Sequence, residues 1–223
     1  MTQANDDGTT NANTDNANTD NVNTDNANTD HTNNDPMVAT SLQAAEITIS
    51  AIDTIDEQLI NSFYTEEILQ TALSATLAYI DKRMQDGLQL PYFADIDNAT
   101  WQQKPKALEV YITDASEGRE LNMEARGKDK PTNILSYPSQ MPASIIELMP
   151  TLPLGELIIC HEVMVREAQE QNKSVAQHIS HLLIHGILHL LGFDHELGQD
   201  EQDEMESFEI DILQGLGLAN PYL

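Results

Sequence analysis

The stretch SVAQHISHLLIHGILHLLGFDH, residues 174–195, decides how the rest of the chain is read. Ser174 followed three residues later by Gln177 is a capping-box signature. The run from Val175 to Leu191 is then apolar almost all round, so the predicted helix lies inside a domain and not on its surface. Gly192 is placed to stop it. At 100° per residue, His178, His181, His185 and His189 fall within about 80° of one face. A stripe of imidazoles on a buried helix costs several kcal/mol unless something satisfies it.

His185 and His189 stand at i and i+4, so their rings converge beside the helix. A turn at Gly192 lets His195 reach the same point, completing an HxxxHxxGxxH pattern. Three neutral imidazoles with one position left open make the arrangement of a catalytic zinc site. The spacing therefore predicts one Zn2+ held by His185, His189 and His195, with His178 and His181 lining the pocket or supporting the ligands. It matches the extended zincin motif except at one position. That motif follows its first histidine with the Glu that serves as general base, and here the residue is Gly186. The expected chemistry is hydrolytic but not ordinary proteolysis. Asp194 is a candidate either for a local base or for orienting a ligand imidazole.

Outward from this helix, the pattern alternates between strands and helices. Ile47, Ile49 and Ala51 alternate with polar neighbours, predicting a strand near 46–53, and 107–113, 132–137 and 154–160 read as further strands. Amphipathic or polar helices are expected over 65–86, from Asp114 or Ser116 to about 123, over 161–171 and over 200–214. Residues 87–106 and 138–153, rich in Gly and Pro, are expected to be loops. The order predicts one α+β domain, residues 40–223, with a small mixed β-sheet packed with helices around a central metal-binding helix.

Before that domain, residues 11–30 repeat one pentad four times, NANTD with one Val22 variant. Up to Pro36 there are seven Asp and no Lys or Arg. Such a segment has almost nothing to bury, so residues 1–36 are expected to be a disordered acidic tail. The whole chain of 223 residues has a formal net charge of -27, and the part after the tail, with thirty acids and all ten bases, is itself strongly acidic. That excludes a protein that holds nucleic acid through a broad basic surface, though not through a small basic patch. The single cysteine, Cys160, makes no internal disulfide and suggests a reducing cytoplasm. No run of about 18 apolar residues predicts a membrane span, and the first residues lack the pattern of a signal peptide.

A basic patch of this kind exists. In Arg126-Gly127-Lys128-Asp129-Lys130, three of only ten bases sit within five positions. Arg126 offers a planar fork to a phosphate, and Lys128 and Lys130 add positive charge, so the three are candidate anion-binding residues, with a solvated loop cluster as the alternative.

The string HGILHLLGFDH resembles the signature of the YbeY endoribonuclease family, RGKDKPTNILSYP resembles that family's second block, and LGELIIC its third. The resemblance covers roughly 45–223. It implies a metal-dependent endoribonuclease specific for single strands, with zinc on His185, His189 and His195 and a functional arginine at Arg126. It also implies 16S rRNA 3′-end maturation and ribosome quality control, with single-stranded rRNA and the small ribosomal subunit as partners. No membrane or DNA partner is implied. Two features depart from the family: Glu156 stands where an Asp is usual, and the 82–106 region is longer. The runner-up readings are a non-catalytic ribosome-assembly factor with a structural metal, disfavoured because Cys160 is the only thiol, and a metallopeptidase, disfavoured by Gly186.

Overall fold

The alternating apolar pattern of the strands is realised as a sheet with one mostly apolar face. The computed structural model describes residues 45–223. Its elements are β1 (Glu46–Ala51), α1 (Glu57–Phe63), α2 (Glu66–Gln85), a 3-10 turn (Pro91–Phe93), α3 (Asn98–Gln103), β2 (Lys106–Thr113), α4 (Ala115–Arg126), β3 (Ile134–Pro138), α5 (Ala143–Ile146), β4 (Leu152–Cys160), α6 (His161–Glu170), α7 (Val175–Leu191) and α8 (Gln199–Gly215). The architecture is α+β, with four strands in the order β1-β2-β4-β3. Strands β1, β2 and β4 run parallel and β3 runs antiparallel to β4, so the sheet is mixed as expected. The repeat-tail expectation for 1–36 lies outside the described residues.

Pairing puts Ile49, Val110 and Leu157 in one row, and Ala51, Ile112, Ile159 and Ile134 in the next. Against that sheet packs α7, and α2 packs on α7. Helix α7 buries Ile179, Leu182, Leu183, Ile184, Ile187, Leu188, Leu190 and Leu191. Each such side chain contributes about 1.5–3 kcal/mol through its burial, which makes α7 the centre of the core. Its start carries the complete capping box: Ser174 accepts from the Gln177 amide, and Gln177 Oε1 accepts from the Ser174 amide. Two of the conflicts with the periodicity of the sequence lie in the expected loops. The 87–106 segment holds the 3-10 turn and α3, capped by Asp97 Oδ1 on the amides of Ala99 and Thr100. It delivers Trp101, 1% exposed, into the core, where the indole donates to Asp81 at 2.7 Å. The 138–153 segment carries α5, and β4 begins at Leu152. Helix α1 was not expected at all. Helices of four to seven residues span too few turns for an apolar stripe to register. Among the described residues, no helix is long and apolar enough to cross a membrane.

Candidate metal and RNA site

Helix geometry alone brings His185 and His189 together, with ring centroids 4.6 Å apart. His195 needs a turn. Gly192 ends α7 in the left-handed region, φ 103°, and a Cβ there would sit 2.8 Å from Pro91 Cβ and 2.9 Å from Tyr92 N. Both the backbone conformation and the close approach of the 3-10 turn demand glycine. The chain is then anchored by Phe193, buried edge-on against Phe208 of α8 at 5.2 Å. Asp194 Oδ1 accepts from the Glu196 amide at 2.9 Å and shapes the loop. It hydrogen-bonds no imidazole, so the orienting role considered for it falls elsewhere. The result puts His195 5.2 Å from His185 and 5.0 Å from His189 by ring centroids.

One nitrogen from each of His185, His189 and His195 lies within 4.8 Å of the others, a grouping that could hold a metal ion. Two further observations fit a cation there. His189 Nε2 is buried and has no hydrogen-bond partner. Burial, helped by the neighbouring His185 and His195, lowers the His189 pKa to about 4 against the opposing pull of Asp194 and the Phe193 backbone, so its ring is neutral at pH 7. A neutral imidazole with an unspent lone pair is what a metal requires.

The sequence reading missed the residue that orients the cluster. Glu209 on α8 is 1% exposed and has three partners. Its Oε1 lies 2.8 Å from His185 Nδ1, and its Oε2 lies 2.6 Å from His181 Nε2 and accepts from the Tyr222 hydroxyl at 2.7 Å. Burial pushes this carboxyl upward, but the hydrogen bonds and charges of His181 and His185 outweigh it and hold the pKa at about 2. An ionised carboxylate only accepts, so it makes His185 Nδ1 the donor and leaves the Nε2 lone pair for the cluster. The signal in the sequence was a single Glu on the otherwise apolar inner stripe of the last helix.

Gly186 has a packing reason. A Cβ on it would lie 2.7 Å from Leu157 Cδ2 and 2.8 Å from Ile134 Cδ1. The position after His185 thus faces the β3–β4 surface, and a carboxylate there would be buried in the sheet instead of serving as a base.

Arg126 is the last residue of α4, and Gly127 closes that helix with φ 66°. The arginine Nη1 lies 3.8 Å from Glu196 Oε1, and Glu196 follows His195 in the chain. Asp129 is occupied by Arg119 through two bonds of 2.6 and 2.8 Å. Lys128 and Lys130 are exposed and make no ion pair among the described residues. Asn122, buried, pins their loop by donating to the Lys130 carbonyl at 2.7 Å. A cleft of 320 Å³ adjoins the cluster, walled by His178, His181, His185, His195, Glu206 and Tyr222 among others, and none of the three bases is among its described lining residues. His178 pairs with Glu167 at 3.2 Å, and His181 with Glu209; neither belongs to the three-histidine group.

A mixed-sheet α+β domain whose buried central helix ends in a glycine turn and gathers three histidines defines a class of candidate metal-dependent hydrolase. The chain matches the family model described as endoribonuclease YbeY over residues 79–217. It is 71% identical over 152 residues to the endoribonuclease YbeY of Psychrobacter cryohalolentis, covering 68% of this chain and 98% of that one. Its identity to the endoribonuclease YbeY of Psychrobacter arcticus is 73% over 139 residues, 62% of this chain and 68% of the relative. With the endoribonuclease YbeY of an Acinetobacter baumannii strain it shares 50% identity over 113 residues, 51% and 72% of the two chains. This chain belongs to the YbeY endoribonuclease family.

Proposed function

We propose that this chain is a zinc-dependent endoribonuclease that cuts single-stranded RNA, with one Zn2+ on His185, His189 and His195 and with Arg126, Lys128 and Lys130 as the RNA-binding residues. Its expected setting is the cytoplasm, where it acts on rRNA of the small ribosomal subunit in 16S 3′-end maturation and quality control, as the family resemblance implies. The observation that carries the metal assignment is the buried His189 Nε2, unpartnered among the described residues, on a ring grouped with two other imidazoles. A bound zinc ion supplies Lewis acidity and lowers the pKa of water at such a site. The chain's own residues do the rest. Glu209 holds His185 in one tautomer. The Arg126 guanidinium, at the edge of the cluster, takes a non-bridging phosphate oxygen and is aimed at the charge that grows there. Lys128 and Lys130, without ion pairs among the described residues, draw the strand toward that edge through an otherwise repulsive field. The direct test is labelled single-stranded RNA beside casein, with zinc-loaded and chelator-treated protein. Zinc-dependent RNA cleavage with intact casein is expected, and casein cleavage would restore the peptidase reading.

Arg126→Lys should keep RNA binding and lose about 100-fold in turnover, because lysine retains the charge but not the fork. Its contact with Glu196 is an exposed pair of little worth, so zinc content and melting temperature should hardly move. Single-turnover cleavage with zinc measured on the same sample decides this; a wild-type rate at full zinc removes Arg126 from the site.

We also assign cleavage to residues 40–223 and none of it to the repeat tail. Deleting 1–36 should leave metal content and cleavage of short RNA unchanged, since that segment has no apolar face to pack. A large drop in melting temperature on deletion would contradict this.

A further inference from the structure

The cleft beside the histidines has a wall chemistry that a phosphate cannot use. Its 320 Å³ volume adjoins His185 and His195, and no Lys or Arg lines it. Glu167 and Glu206 do. A phosphodiester pushed into it would meet those carboxylates with no Lys or Arg among the described lining residues to offset them. The remaining hydrogen-bonding capacity in the wall is also of one kind. His178, 2% exposed, uses Nε2 toward the Glu167 carboxylate, and its buried Nδ1 has no partner. His181 uses Nε2 toward Glu209, and its buried Nδ1 is likewise unpartnered. Those two nitrogens are buried, so the accessible acceptors of the wall are the carboxylates of Glu167 and Glu206. Glu206 Oε1 accepts from Gln202 Nε2 at 2.6 Å, and its Oε2 has no hydrogen-bond partner among the described residues. Tyr222 adds an aromatic surface. Its hydroxyl is tied to Glu209, its ring stands edge-on to His181 at 5.9 Å, and it is 45% exposed, leaving area for a ring to stack.

We propose that this acceptor-lined cleft is a nucleobase subsite that takes one base of the substrate strand and selects bases with an exocyclic amino group over uracil. The inference rests on the ribonuclease reading above and deepens it. Stacking on Tyr222 is open to any base. Glu206 Oε2 distinguishes them: the amino groups of cytosine, adenine and guanine donate to it, whereas uracil presents carbonyl oxygens on both sides of its single ring N–H. A site built to accept from an amino group discriminates against a base that lacks one. The placement also orients the strand, with the base on the Glu206 side of the histidines and the phosphate on the Arg126 side. A base reaches the cleft only when it is unstacked and unpaired, which gives single-strand preference a physical origin.

The test uses zinc-loaded full-length protein with cytidine and uridine homopolymers, which differ in the recognised edge but not in ring size. Binding is read by fluorescence anisotropy of 2′-O-methyl oligomers, and cleavage is read on the unmodified RNA. Cytidine should be favoured about tenfold in binding or in kcat/KM. Glu206→Gln, which lies outside the three-histidine group, should shrink that ratio toward one at unchanged zinc content. Equal affinities and rates for the two oligomers would overturn the subsite, as would a preference that survives Glu206→Gln. Binding selectivity without any cleavage would instead count against the nuclease reading and leave the subsite standing, while cleavage without selectivity would do the reverse.

Discussion

His189→Ala protein, stripped with chelator and titrated with zinc, should show no rise in melting temperature, and its RNA cleavage should fall by more than about 100-fold. The loss should exceed the roughly 10- to 100-fold in affinity or activity that follows from removing an outer partner of a metal ligand, because a ligand itself is gone. In the parent chain, zinc at about a thousand times its dissociation constant should stabilise the fold by about 4 kcal/mol. The apo-protein should behave differently. His189 Nε2 is buried without a partner, so deleting the ring removes a strain of about 1–3 kcal/mol and offsets part of the packing it also removes. A variant that is nearly as stable as the parent without zinc, yet deaf to zinc, is therefore expected in a thermal shift assay with metal analysis. Undiminished zinc-dependent stabilisation would show that the ion sits elsewhere.

Changes at Glu209 should be nearly as large and of a different character. Glu209→Ala leaves His181, His185 and the Tyr222 hydroxyl without their shared acceptor inside the core, and should destabilise the fold by about 3–5 kcal/mol. Glu209→Gln keeps the shape but sets an amide N–H against one of the imidazole donors. It should fold, and its zinc affinity should weaken about 10- to 100-fold as His185 loses its fixed tautomer. Competition with a chromogenic chelator measures this without reference to catalysis. Wild-type zinc affinity in the Gln variant would mean that His185 is held by the helix alone.

The pairing of His185 with His189 could be read directly because both sit on one helix, and helical spacing is a property of the backbone. The same holds for the Ser174–Gln177 cap and for the stop at Gly192, which depend on neighbours within one turn or on the sign of a single φ. The four strands were legible because alternation of apolar residues is also local, and the mixed sheet followed from their order with the helices. Arg126 could be singled out by contrast with the acidic chain, but not located. Only the closure of α4 at Gly127 and the loop after Gly192 put it beside Glu196.

What escaped the sequence shares one cause. Glu209 lies 24 residues from His185 and reads as one more acid in an acidic helix until the packing of α8 on α7 buries it. Trp101 looked like part of a loop until α3 turned it toward Asp81. Gly186 read as a missing base, and it is the contact with Leu157 and Ile134 that makes it a packing residue. The sequence by itself determined the central helix, its histidine face, its glycine stop and the strand pattern, since each of these rests on periodicity within one segment. The tertiary structure alone decided which carboxylate orients the histidines, where the arginine stands and what lines the cleft, because burial and hydrogen-bond partners belong to pairs of segments that no local pattern encodes.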